Sequence, residues 1–176
     1  MRDGADHDIG VGLLQVEDCL DADGGIALPP DVTLISLIQR NIASVADAVA
    51  YRYLDFASGA GPVVDEITWR ALGVRMRAVG HHVQCVAARG DRVAIMAPQG
   101  LDYIAGFFSA LNAGTIAVPL FAPELPGHAE RLDTALRDAR PTAVLTTSRA
   151  RGAIESFLDA TALPERPAVI AVDEVP

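Results

Sequence analysis

Few residues in this chain have the types and spacings that could do chemistry. The stretch Cys19-Leu20-Asp21-Ala22-Asp23-Gly24 sets two carboxylates before a glycine, as a calcium loop does. Such a loop needs an oxygen ligand at its first position and a bidentate Glu at its twelfth. Here Cys19 would stand first and Pro30 twelfth, so the ligand set fails. His81-His82 offers two imidazoles, but adjacent residues on a helix point about 100° apart and do not easily share one ion. Surface positions are expected for both. Gly59-Ala60-Gly61 is part of a dinucleotide fingerprint, yet it precedes a strand rather than a helix. Ser109 stands in no G-x-S-x-G elbow and is expected inside a helical core. There is no lysine, hence no Walker A loop, and no H-E-x-x-H. The carboxylates are scattered, so no acid–base pair can be argued. From the residues alone, no catalytic, cofactor-binding or metal-ligating residue is nominated, and spacing reads only as a soluble α/β domain.

The elements that would position any site are easier to read. Arg92 to Ala97 is a short apolar run ended by Pro98-Gln99-Gly100, which suits a strand buried on both faces. From Leu101 to Ala113, Leu101, Ile104, Ala105, Phe107, Phe108 and Leu111 recur at helical spacing. Asp102 falls in the first turn, where a negative charge suits the helix dipole, and Gly114 is placed to stop the helix. Ile116-Ala117-Val118 runs into Pro119 as the next strand. This βαβ unit predicts a parallel sheet with a right-handed crossover.

Before it, Asp31 or Thr33 can cap a helix with Leu34, Leu37, Ile38 and Ile42 on one face. Val49 to Phe56 and Val63 to Thr68 read as a hairpin around a Gly-containing turn. Thr68 can cap a helix whose core stripe is Leu72, Met76, Val79, Val83 and Val86. After it come a rigid loop over 121–127, an amphipathic helix from His128 to Arg140 with Leu132 and Leu136 inward, and a strand at 143–147. Ser148 can cap a further helix to about Leu158. A linker at 164–167 then leads to a strand at 168–172. The expected fold is α/β: a partial doubly wound, mainly parallel sheet with flanking helices and an N-terminal hairpin. Residues 1–28 read as a flexible acidic, Gly-rich extension, and 29–176 as the folded part.

Composition narrows the function classes. The chain has 176 residues, 51% of them apolar, and a formal net charge of -9. Apolar content of that order supports a core. All basic residues are arginine. An acidic chain without a basic stripe is a poor nucleic-acid or anionic-membrane binder. No stretch approaches the roughly 20 apolar residues of a spanning helix, and the first six residues carry no secretory pattern. Two distant cysteines, Cys19 and Cys85, fit reduced thiols in the cytoplasm.

Resemblance adds what spacing does not. Ile67-Thr68-Trp69-Arg70-Ala71-Leu72 resembles the first core motif of adenylate-forming enzymes, an L-[TS]-Y-x-E-L type, with Trp69 in place of Tyr and Ala71 in place of Glu. Leu111 to Leu120, LNAGTIAVPL, resembles the second, L-K-A-G-x-A-Y-V-P. Within that superfamily, Ala50–Phe56, Ala97–Tyr103, Val118–Phe121, Pro126-Gly127-His128 and Val144–Thr147 look like the fatty acyl-AMP ligase branch. Together they cover most of the chain from Val49 to Pro176. The two core motifs have structural roles at a helix start and a helix-to-strand turn, and neither is expected to touch ATP.

The resemblance implies that the full-length family joins a fatty acid to AMP, using ATP and Mg2+, for polyketide synthase or acyl carrier partners. It also implies that the phosphate loop, the aromatic-Gly-x-x-Glu segment, the ribose-gripping Asp and the catalytic lysine lie beyond Pro176. The chain is then expected to be a fragment, inactive alone and binding no cofactor alone, with an exposed sheet edge. The alternative is a stand-alone, non-catalytic module that binds the remainder of a split ligase or another partner.

Overall fold

A computed structural model describes residues 19–27, 32–57, 59, 61–123 and 129–175. The extension before Cys19, residues Pro29, Pro30 and Asp31, and most of the expected rigid loop, including Pro126-Gly127-His128, lie outside the described residues. The chain forms two compact units, Met1–Ala46 and Asp47–Pro176.

In the first unit, Asp21 Oδ1 accepts from the backbone N–H of Asp23 (3.0 Å) and of Gly25 (2.7 Å), which folds the acidic stretch into a tight turn. Helix α1, Leu34–Ser44, is capped by Thr33. Ser36 N–H donates to Thr33 Oγ1 at 3.0 Å, and Thr33 N–H donates to Ser36 Oγ at 2.8 Å. Two orphan donors of the helix start are thereby satisfied reciprocally. Ile38 is buried.

The second unit opens with an antiparallel hairpin, β1 (Val49–Asp55) and β2 (Val63–Thr68), with a register shift between Val49 and Tyr51. Helix α2, Trp69–Gln84, follows at once, capped by Thr68. A four-stranded parallel sheet then forms from β3 (Arg92–Ile95), β4 (Ile116–Pro119), β5 (Ala143–Thr146) and β6 (Ala168–Ala171), in the order β4-β3-β5-β6. The crossover helices are α3 (Leu101–Asn112), α4 (Ala129–Ala139) and α5 (Ser148–Ala160).

Alternation along the strands explains the layers. Val93, Ile95, Ala143 and Leu145 face Val79 and Val83 of α2 and Ala110 of α3. Ala94, Met96 and Val144 face Leu132 and Leu136 of α4 and Ile154 and Leu158 of α5. With both faces covered, β5 is buried throughout, which is why it reads as an unbroken apolar run. Gly114, at φ +81, makes the turn from α3 to β4, a backbone conformation that side chains disfavour.

Three expectations are corrected. Thr147, not Ser148, caps α5: its Oγ1 accepts from Ala150 N–H at 3.3 Å. Ser148 instead donates to Asp173 through its hydroxyl (2.5 Å) and its N–H (2.7 Å). Val86 is not in the core stripe of α2; the helix ends at Gln84, the helical period ends with it, and Val86 is exposed. The β3 strand stops at Ile95, although Met96 and Ala97 remain buried beyond it.

Candidate functional site

In open α/β sheets, ligands bind beyond the carboxyl ends of the strands, near the point where crossovers change face. That point lies between β3, which leads to α3 on one face, and β5, which leads to α5 on the other. A groove of about 820 Å³ opens at the carboxyl ends of β3 and β4. The segment 97–101 after β3 and the segment 120–122 after β4 form its floor, with Tyr103 and Ile104 of α3. Tyr51, Arg52 and Tyr53 of the hairpin form its wall.

Local bonds fix these parts. Leu120 N–H donates to Ile95 O at 3.0 Å, and Met96 N–H to Leu145 O at 2.8 Å, so the sheet ladder continues past the strand ends. Thr146 Oγ1 donates to Met96 O at 3.0 Å. Tyr103 OH donates to Leu120 O at 3.3 Å and ties α3 to the loop after β4. Gly100 begins α3 at φ +155 and ψ −171, a region essentially confined to glycine. Arg75 of α2 reaches Asp102 in the first turn of α3 at 2.5 Å and fixes the approach of the two helices beside the groove. The hairpin is anchored by Tyr51, whose ring centroid lies 6.0 Å from that of Trp69 and 5.9 Å from that of Phe108.

The groove is mainly apolar and aromatic, and its chemistry is that of binding. Burial pushes the Tyr51 and Tyr103 phenols above their ordinary value, and each phenol can donate a hydrogen bond. Arg52 is the lining cation, and its Nε is 2.5 Å from Glu66 Oε1. Among the described residues, the lining contains no carboxylate, histidine or cysteine. The described lining side chains thus include neither a nucleophile paired with a base nor a carboxylate ligand for a hard cation.

The stretches weighed in the sequence fall elsewhere. His81 and His82 are exposed, with ring centroids 6.1 Å apart, and His82 Nδ1 contacts Ala78 O at 3.1 Å. Ser109 is fully buried and donates to Ala105 O at 2.6 Å. Gly59 and Gly61 take positive φ at the end of the hairpin, while 58 and 60 lie outside the described residues. Among the described residues, no group of three His, Cys, Asp or Glu could hold a metal ion. Motif searching missed the groove because its residues carry no reactive signature. Three of the stretches on which the resemblance rests, Ala50–Phe56, Ala97–Tyr103 and Val118–Phe121, nevertheless meet in it.

The AMP-binding enzyme family matches residues 38–176. This chain belongs to that family. It is 44% identical over 154 residues to the long-chain-fatty-acid–AMP ligase FadD32 of Mycolicibacterium smegmatis, covering 88% of this chain and 24% of the relative. It is 36% identical over 143 residues to the long-chain-fatty-acid–AMP ligase FadD26 of Mycobacterium tuberculosis, covering 81% and 24%. The chain thus spans about a quarter of the length of these relatives. Its fold matches that of a fatty acyl-adenylate ligase from L. pneumophila crystallised with acyl adenylate and pyrophosphate, at a TM-score of 0.67 and 20% identity, covering 82% of this chain and 24% of that one. Among the described residues, no helix is long and apolar enough to cross a membrane.

Proposed function

We propose that residues 29–176 form the N-terminal portion of the adenylation domain of a fatty acyl-AMP ligase. The observation that carries this reading is the 44% identity to a long-chain-fatty-acid–AMP ligase over 88% of the chain. In the proposed reaction, a carboxylate oxygen of the fatty acid attacks the α-phosphorus of ATP. A new P–O bond gives the acyl adenylate, and the bond to the β-phosphate oxygen breaks to release pyrophosphate.

That transfer requires neutralisation of charge on the attacking and departing oxygens. The described residues of the groove do not fit that task. Among them there is no carboxylate for Mg2+, the arginine lies against Glu66, and the sequence has no lysine. ATP and Mg2+ are therefore assigned to the whole ligase, and this chain alone is expected to be silent. Its part is to present a rigid, largely apolar surface at the strand ends, against which the rest of the enzyme closes around its substrates. Polyketide synthase or acyl carrier proteins are the proposed acceptors of the acyl group. The cytoplasm is the proposed compartment, in keeping with the free thiols of Cys19 and Cys85.

The test is a chimera. The stretch of the mycolicibacterial ligase that corresponds to residues 38–176 is replaced by this chain's sequence. Fatty-acid-dependent ATP–pyrophosphate exchange is expected to survive. A folded chimera without exchange would contradict the assignment.

A further inference from the structure

A second cavity, of about 540 Å³, lies at the opposite edge of the sheet from the groove, where the strands begin. Arg92 opens β3, Arg140 follows α4, and Arg166 precedes β6, so three segments distant in sequence bring three arginines to the lining of one concavity. This is unexpected in a chain of net charge -9. The walls between them are stiff: Pro141, Pro164 and Pro167 line the cavity with fixed φ. The backbone is pinned as well, because Thr142 N–H donates to Arg92 O at 2.9 Å and Ala168 N–H to Thr142 O at 3.0 Å.

The arginines are not used up by structure. Arg140 makes no side-chain hydrogen bond or ion pair with the described residues. It also holds φ +46, the left-handed region where glycine rests without strain and an arginine does not. The helix end needs only its backbone N–H, which donates to Leu136 O at 2.8 Å. Arg92 spends Nε on the Ala139 carbonyl and keeps its two terminal amino groups. Arg166 Nε is 2.9 Å from Asp159, an exposed pair that water screens. Glu165 is the opposing charge in the lining and has no partner among the described residues.

We propose that this cavity binds the phosphate group of a small molecule, independently of the groove and of the adenylation chemistry. A phosphate carries close to two charges and three acceptor oxygens at neutral pH. Planar guanidinium forks match such oxygens two at a time, which a single carboxylate would exploit less fully. The shared chemistry is the phosphate itself, whether free or carried on a metabolite.

Arg140 makes the proposal testable without risk to the fold, because Arg140→Gly relieves the left-handed strain. The 176-residue chain is titrated with inorganic phosphate, with glycerol 3-phosphate and with acetate at constant ionic strength. Binding is followed by calorimetry and by the unfolding midpoint, which a ligand specific for the folded state must raise. Saturable binding of inorganic phosphate is expected, at least tenfold tighter than acetate. Arg140→Gly is expected to melt no lower than the parent and to bind phosphate at least tenfold more weakly. Glu165→Gln is expected to bind it several-fold more tightly, a gain that a purely structural role for these residues would not produce. Binding of glycerol 3-phosphate as well points to a phosphorylated metabolite, and binding of inorganic phosphate alone to the free ion. No saturable phosphate binding, acetate binding as tight as phosphate, or undiminished binding by Arg140→Gly would overturn the proposal.

Discussion

Tyr51 carries the hairpin that walls the groove, and its removal should loosen that wall selectively. A two-stranded hairpin is at best marginal in water by itself. Here the outer positions Leu54, Val63 and Val64 are exposed, and the inward anchors are the buried Ile67 and the half-buried Tyr51 ring between Trp69 and Phe108. Each of the two ring pairs contributes about 0.5–1.5 kcal/mol beyond area burial. Adding the half-buried area of the ring puts Tyr51→Ala at about 2–3 kcal/mol, below the 3–5 kcal/mol of a fully buried aromatic. Tyr51→Leu keeps apolar bulk and should cost about 1–2 kcal/mol. The assay is native-state hydrogen exchange with residue resolution. A local loss of about 2 kcal/mol speeds exchange roughly 30-fold. That acceleration is expected at the hairpin amides of 51–55 and 63–68, while Val93, Ala94, Val144 and Leu145 keep their protection. An unchanged hairpin, or equal acceleration in the central strands, would refute the claim that Tyr51 anchors a locally unstable wall.

Other perturbations follow from the same geometry. Leu145→Ala empties a fully buried site between α3 and the sheet, and chemical denaturation should register a loss of about 2–5 kcal/mol. Gly100→Ala forces a side chain into the glycine-only conformation that starts α3, at about 1–3 kcal/mol by the same measurement. Burial alone would raise the Asp173 carboxyl, but the Ser148 hydroxyl and N–H, with the charge of Arg75, hold it below its ordinary value. A lowered carboxyl stabilises the fold above its unfolded pKa, and that contribution is lost as pH falls through the folded value. Asp173→Asn should therefore cost about 1 kcal/mol at neutral pH, discounted for exposure, with the gap to the parent closing in melts run below about pH 4.

The parallel sheet was legible because its determinants are local: short apolar runs, helical stripes and punctuating Gly and Pro. The β3-α3-β4 unit, with Gly114 at its turn, was readable for that reason. The cap of α5 was misplaced by one residue because Thr147 and Ser148 are both able to cap. The contact that decides between them, Ser148 with Asp173, is distant in sequence. Val86 fitted the apolar stripe of α2 in spacing, yet the helix stops before it. The groove was invisible to motif reasoning since Tyr51, Gly100 and Phe121 meet only through the fold, and none is of a residue type that marks a reactive motif. The arginine cavity was hidden likewise, its three cations lying on separate segments of the chain.

The most direct test of the account is ATP–pyrophosphate exchange by the chimeric ligase that carries this chain's residues 38–176, beside the 176-residue chain alone. The account predicts fatty-acid-dependent exchange by the chimera and silence from the chain alone. A chimera that melts cooperatively but does not exchange would contradict the ligase assignment. Exchange by the chain alone would contradict the argument that its charge-neutralising groups are supplied from outside it.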